Sequence, residues 1–315
     1  KIFVNPSRLL SKHKSDILIE ERHSLLKSIF ESFRISQWTK NSLIFLPALL
    51  AHQLNNNSVL FSSLITFLSF SLTASAIYIL NDLLDISADQ HHPRKRNRPF
   101  ANGNLQLIQG IYFIPILLIS SFLILQLLPN SNILSRILML YTLLAISYSL
   151  KLKQIIFVDV IILTLFYNIR IIMGGFATYT SISDWFFFFT LFLFLNLALL
   201  KRFASIVELK EENTFLQERG YTKLHKKLLL YSGITTGLAS CFILLMYSFS
   251  DQINFLYSKP FLIHFTSPVL MYWLIKMWRS ANKNMMRNDP FVYASQDIIS
   301  YIVCLAIGLL FFLAL

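Results

Sequence analysis

The sequence predicts an all-α integral membrane protein, a bundle of about nine transmembrane helices. Of its 315 residues 55% are apolar and only 14% charged, where a soluble domain carries about 25% charge. The apolar residues fall in long runs such as "VLFSSLITFLSFSLTASAIYIL" and "YIVCLAIGLLFFLAL". A run of roughly 20 apolar residues spans a bilayer as a helix. The runs are continuous and do not alternate every second residue, which argues against a barrel. The cations gather in alternate loops, as the orientation argument below uses.

Taken in order, residues 1–36 form an N-terminal segment. Within it "HSLLKSIFESFRISQW" sets Leu25, Leu26, Ile29, Phe30 and Phe33 at helical spacing, which predicts an amphipathic helix on the membrane surface. The first 40 residues lack the apolar core of a signal peptide. A start at Lys1 is expected of a fragment or a processed chain. Residues 37–315 form the transmembrane domain. Its spans are expected at about 43–56, 59–85, 105–128, 133–150, 155–176, 184–200, 228–249, 261–278 and 297–315. Cys241 and Cys304 both fall inside spans with no metal-ligand spacing and are expected to pack as small apolar residues.

Lys and Arg in short loops set orientation. The N-terminal segment and the second, fourth, sixth and eighth loops hold 25 of the 28. The other side has only Arg136 and Lys259, and Arg170 lies within a span. The N-terminus and these loops are therefore expected in the cytoplasm and the C-terminus outside, in a bacterial plasma membrane. The net charge of +12 then reflects this rule and attraction to anionic membrane lipids; it requires no nucleic acid.

The densest charge follows the second span, in "NDLLDISADQHHPRKRNRPFANG". At about 100° per residue, Asn81, Asp82, Asp85 and Asp89 share one face of a helix that Pro93 is expected to end. Carboxylates this close to hydrocarbon are costly unless they pair or bind something. Mg2+ takes oxygen ligands and bridges carboxylates to phosphate, so Asp82, Asp85 and Asp89 are read as metal ligands and catalytic residues of a metal–diphosphate site. Arg94, Lys95 and Arg98 are read as phosphate-binding cations.

The stretch "NDLLDISADQHHPRKRNRP" resembles the first signature of the UbiA superfamily of intramembrane prenyltransferases, N-D-x-x-D-x-x-x-D. The resemblance extends from about Gln37 over nearly the whole chain. It implies a nine-helix bundle around a cytoplasm-facing cavity, where Mg2+ holds a diphosphate and a lateral opening admits a lipid chain. "HPRKRNRPFANG", "QWTKNSLIFLP", "YSLKLK" and "FLNLALLKRFASIVEL" look like the branch containing decaprenyl-phosphate phosphoribosyltransferase. Aromatic prenyltransferases of the superfamily carry a second motif, D-x-x-x-D, after the sixth span. Here that loop reads "KRFASIVELKEENTFLQERGY", without an aspartate. More cations and fewer hard ligands favour a substrate with a separate phosphate, as phosphoribosyl diphosphate has.

Further substrate contacts are expected from several residues. Asn81 orients a ligand or a sugar hydroxyl. Asp159 and Arg170, both in the fifth span, lie on one helix face. Asp159 is read either as a ligand to metal or sugar or as one half of an interhelical pair. Arg170 either holds the acceptor's phosphate or pairs with a distant acid. Lys201 and Arg202 open the sixth loop as phosphate contacts, with Glu208 two turns on. Lys40 and Tyr148 sit at cytoplasmic ends of spans and are weaker candidates.

These readings converge on a Mg2+-dependent transferase that moves 5-phosphoribosyl from phosphoribosyl diphosphate to a polyprenyl phosphate; the chain is compatible with a homo-oligomer. The alternative is a transferase using a prenyl diphosphate donor. A transporter of a phosphorylated solute fits less well, because the aspartates sit at one surface and no paired repeat is visible.

Overall fold

The computed structural model describes residues 25–91, 95–208, 220–250, 253, 256–286 and 289–315. Every regular element among them is helical. Among the described residues six helices are long and apolar enough to cross a membrane: α3 (Asn57–Leu84), α5 (Leu107–Leu125), α6 (Ser131–Leu150), α7 (Val158–Thr178), α8 (Asp184–Val207), and α9 (Lys226–Ser248) with the short 3₁₀ turn before it. Their outward faces carry large apolar side chains, such as Ile116, Leu123 and Phe242. The chain is an integral membrane protein.

The remaining expected spans take other forms. Over 43–56 the chain runs as a 3₁₀ helix, Ile35–Phe45, and then the five-residue α2, Leu46–Leu50. Thr39 and Ser42 donate their hydroxyls to carbonyls three residues back, and Pro47 at the start of α2 has no N–H to donate. The eighth expected span divides into a 3₁₀ turn, Pro260–Phe265, and α10, Thr266–Asn282. The last is α12, Ile298–Ala314, whose 17 residues rise about 26 Å. Between these two lies the short α11, Pro290–Ala294. Cys241 is buried, whereas Cys304 is exposed on α12.

The chain divides into two compact units. The first holds the described residues up to Ser42 together with Asn56–Ser149. Its spine is α3, whose 28 residues rise about 42 Å, more than the ~30 Å hydrocarbon core. Small polar residues line α3 on two sides, and Ser63, Thr66, Ser69, Ser71, Thr73 and Ser75 are all fully buried. Small hydroxylated side chains let helices approach and bond across. Ser69 and Thr73 donate to the carbonyl and hydroxyl of Ser121 on α5 at 2.8 and 2.9 Å. Trp38 Nε1 donates to Ser75 Oγ at 3.0 Å, and Asn41 Nδ2 to Ser71 Oγ at 2.9 Å. The N-terminal helix α1 (25–32) turns Ile29 and the following Phe33 toward Ala76, Ile79, Phe100 and Leu117. Leu25, Leu26 and Phe30 stay exposed, so the expected apolar stripe is split between core and surface. A short helix, α4 (Ile86–His91), continues from α3.

The second unit holds Leu43–Asn55 and Leu150–Leu315. Its core joins Val160 and Ile171 of α7, Leu200, Phe203 and Ile206 of α8, Leu229 of α9 and Met277 of α10. Asn196 on α8 donates to the Gly233 carbonyl at 2.5 Å and accepts from Trp278 Nε1 at 3.2 Å. Gly174 of α7 lies against the backbone of Ile44, where an added Cβ would come within 2.0 Å of the carbonyl oxygen.

Candidate active site

The signature aspartates stand where α3 gives way to α4. Asp85 caps α3, yet its N–H still bonds to Asn81 O at 3.0 Å, and the Asp89 N–H bonds to Asp85 O at 2.8 Å. Helical register therefore carries through the junction. Asp82 and Asp89, seven residues apart, come back to within about 20° on the helix, while Asp85 lies about 60° away. The packing follows that geometry. Asp82 and Asp89 are 2% and 1% exposed, and a single guanidinium nitrogen, Arg98 Nη1, reaches Asp82 Oδ1 at 3.1 Å and Asp89 Oδ2 at 2.5 Å. Asp85 Oδ2 instead accepts from Asn81 Nδ2 at 2.9 Å.

Arg34 completes this cluster. Its Nη2 bonds Asp82 Oδ1, and its guanidinium lies 5.0 Å from the centre of the Tyr78 ring. Arg34 adopts φ 50°, the left-handed region rare for a branched side chain. Lys95 Nζ stands 3.6 Å from Asp89 Oδ1, beyond hydrogen-bond range, and that oxygen is buried without a hydrogen-bond partner among the described residues. The sequence reading did not select Arg34, which lies 48 residues from its partner. Its signal was a cation directly after an amphipathic helix. Arg94 lies outside the described residues.

The arrangement fits a hard divalent cation in part. Asp82 and Asp89 are oxygen donors grouped about one point, and Asp89 Oδ1 is an orphaned buried acceptor. No three His, Cys, Asp or Glu groups among the described residues come close enough to hold one ion; Asp82 and Asp89 meet on Arg98, while Asp85 is bonded to Asn81. Mg2+ bound through one or two carboxylates completes its shell with water and phosphate oxygens.

The second unit holds five further charged candidates, and two of them, Asp159 and Arg202, pair with each other. Asp159, fully buried, receives Arg202 Nε on Oδ2 and the Tyr221 hydroxyl on Oδ1, the latter at 2.6 Å. Tyr221 in turn accepts the Phe157 N–H at 2.9 Å. Both Asp159 oxygens are thus engaged by protein groups, and Arg202, 2% exposed, points to that carboxylate. The interhelical pair, one of the two readings of Asp159, is the one the structure shows; its partner is Arg202 and not Arg170. Arg170 donates to the Phe166 carbonyl of its own helix and lies 5.9 Å from the Tyr167 ring centre. Lys201 Nζ donates to Asp289 Oδ2 at 2.5 Å, and Asp289 also caps α11 by accepting from Phe291 N. Tyr167 stacks against both Phe194 and Phe291 at 4.8 and 5.0 Å, beside a small cleft that Lys201 and Asp289 flank. Glu208 is exposed at the end of α8. Lys40 and Tyr148 are half-buried in the first unit. Asp289 and Tyr221 were also not selected from sequence, although an Asp before Pro290 is a helix-start signal.

An uncharacterized protein of Sinorhizobium fredii strain NBRC 101917 / NGR234, y4nM, is 29% identical over 300 residues, 95% of this chain and 58% of that protein. Decaprenyl-phosphate phosphoribosyltransferase of Mycobacterium tuberculosis strain CDC 1551 / Oshkosh is 31% identical over 196 residues, 61% of this chain and 64% of that protein. The chain therefore spans less than two thirds of the length of either relative. A UbiA homologue of Archaeoglobus fulgidus, solved with DMAPP and Mg2+, has the same fold, with a TM-score of 0.66 at 12% identity over 90% of this chain and 99% of that one. The model of the UbiA prenyltransferase family matches residues 42–285. A membrane protein whose described elements are helical, with the N-D-x-x-D-x-x-x-D face at the end of α3, this chain belongs to the UbiA prenyltransferase family.

Proposed function

We propose that this transferase moves 5-phosphoribosyl from phosphoribosyl diphosphate to a polyprenyl phosphate, with Mg2+ as cofactor. The observation that carries this reading is the buried Asp82–Asp89 pair gathered on Arg98 and ringed by Arg34 and Lys95. Support for the phosphoribosyl donor comes from the similarity to decaprenyl-phosphate phosphoribosyltransferase and from the aspartate-free segment 201–221.

In this reading Asp82 and Asp89 hold the metal, and Asn81 orients Asp85 beside it. When bound, Mg2+ supplies neutralisation of charge on the diphosphate leaving group. Arg34, Lys95 and Arg98 hold phosphate oxygens, for which the planar guanidinium is well shaped. An oxygen of the lipid phosphate attacks the anomeric carbon; the new C–O bond forms as the bond to diphosphate breaks. The attacking phosphate is already anionic near neutral pH, so no strong general base is needed. Arg202 and Asp159 support α7 and α8 as a pair and do not touch substrate. The same reading has nine spans, a cytoplasmic N-terminus and site, and a bacterial plasma membrane as its location. It treats residues 1–36 as an N-terminal segment from which Arg34 reaches the site.

A prenyl diphosphate donor is the second reading, favoured by the Tyr167, Phe194 and Phe291 stack beside an apolar cleft. Purified protein in detergent with Mg2+, polyprenyl phosphate and radiolabelled phosphoribosyl diphosphate separates the two. Metal-dependent transfer of label into the lipid phase, abolished by EDTA and by Asp82→Asn, is the expected outcome. Transfer only from a prenyl diphosphate would replace this reading with the second.

A further inference from the structure

The cluster at the end of α3 already holds counter-charges for its buried carboxylates. Two buried carboxylates, Asp82 and Asp89, face three cations, Arg34, Arg98 and Lys95. Both arginines bond the same oxygen, Asp82 Oδ1. A divalent cation entering alone meets a positive surplus and competes with two guanidinium groups for one carboxylate. A cation that arrives with a diphosphate brings enough negative charge to reverse that balance.

We propose that Arg34 is a counter-ion that exchanges partners: it neutralises Asp82 in the empty site and turns to the diphosphate when metal and diphosphate enter together. The inference rests on the metal–diphosphate reading above. Three features single out Arg34 for the exchange. It is the one member of the cluster drawn from the segment before the 3₁₀ helix, where its left-handed backbone interrupts the helical run. The Tyr78 ring, 5.0 Å away, offers a face along which the cation remains stabilised. Arg98 is tied to both carboxylates at once, while Arg34 bonds only one. The consequence is coupled binding: metal and diphosphate each bind poorly alone and well together.

The test measures binding, apart from turnover. Mn2+, which is visible by electron paramagnetic resonance, is titrated into purified full-length protein in detergent, with and without inorganic pyrophosphate. Wild type is expected to bind Mn2+ weakly alone and much more tightly with pyrophosphate. Removing an opposite charge a few ångströms from a carboxylate changes cation affinity by about tenfold or more. Arg34→Gln is therefore expected to tighten Mn2+ alone by about tenfold and to weaken pyrophosphate on the metal-loaded protein by a similar factor. These opposite signs are not produced by simple loss of structure, which weakens both. Arg34→Lys, which keeps the charge but not the fork, is expected to shift both affinities in the same directions by less, and it serves if Arg34→Gln is not recovered folded. Unchanged or weakened Mn2+ binding in these variants would overturn the exchange, while loss of Mn2+ binding in Asp82→Asn would leave the metal reading standing. Absence of Mn2+ binding by wild type, even with pyrophosphate, would overturn both.

Discussion

The Tyr221 hydroxyl donates to Asp159 Oδ1 at 2.6 Å while accepting the backbone N–H of Phe157 at 2.9 Å. One phenol thus ties residue 221, which precedes α9, to the first turn of α7. Phe157 needs the bond, because at φ 64° it leaves the regular backbone just before the helix starts. Tyr221→Phe strands the Asp159 oxygen and the Phe157 N–H in a dry interior. The expected cost is about 1–3 kcal/mol, read as a lowered midpoint of thermal unfolding in detergent.

The same contact has a pH consequence. Burial first, and then the hydrogen bond to Asp159, push the Tyr221 phenol above its ordinary value. A group whose folded pKa is raised contributes stability that is complete below the unfolded value, about 10, and is lost as pH rises toward the folded value. Thermal unfolding followed from pH 8 to pH 11 is expected to show falling stability above about pH 10, and Tyr221→Phe is expected to flatten that fall.

Asp159 and Arg202 are both fully withdrawn from solvent, at 0% and 2% exposure. Breaking a buried pair by removing one partner costs about 3–5 kcal/mol, because the other charge stays behind. Asp159→Asn and Arg202→Gln are each expected to destabilise by that order, and the double variant by less than their sum. A double-mutant cycle on unfolding midpoints checks this. Strict additivity would remove the pair from the account of the core.

Among the aspartates the structure predicts an order of importance. Asp89 is buried and shares Arg98 with Asp82, whereas Asp85 is half-buried and bonded to Asn81. Asp89→Asn is expected to lower kcat/KM by roughly a hundredfold or more, the scale of losing one preorganised charge at a developing anion. Asp85→Asn is expected to cost less. Mg2+ titration of the transfer rate, with a larger rise in the required Mg2+ for Asp89→Asn, is the check.

Gly174 meets the Ile44 carbonyl so closely that even a methyl group has no room, since the obstacle is backbone. Gly174→Ala is expected to destabilise the second unit by about 1–3 kcal/mol, the usual scale of overpacking. Gly308, with open space around its missing side chain, is the control, and Gly308→Ala is expected to leave the unfolding midpoint unchanged or slightly raised.

Much of this protein is written locally. Continuous apolar runs mark α3 and α5 through α9 because helix formation and membrane burial depend on residues adjacent in sequence. The aspartate face is legible for the same reason: residues 82 and 89 return to one side of any helix, whatever surrounds it. Local reading weakens where backbone geometry departs from the α-helix, as in the first expected span, 43–56, which begins in the 3₁₀ helix Ile35–Phe45 and continues as the five-residue α2. It ends at the partners of the charges. Asp159 and Arg170 share a helix, yet Asp159 bonds Arg202, 43 residues away on α8. Asp82 bonds Arg34, 48 residues earlier. A buried charge takes the nearest opposite charge that packing supplies, and which helices become neighbours is a property of the folded chain as a whole.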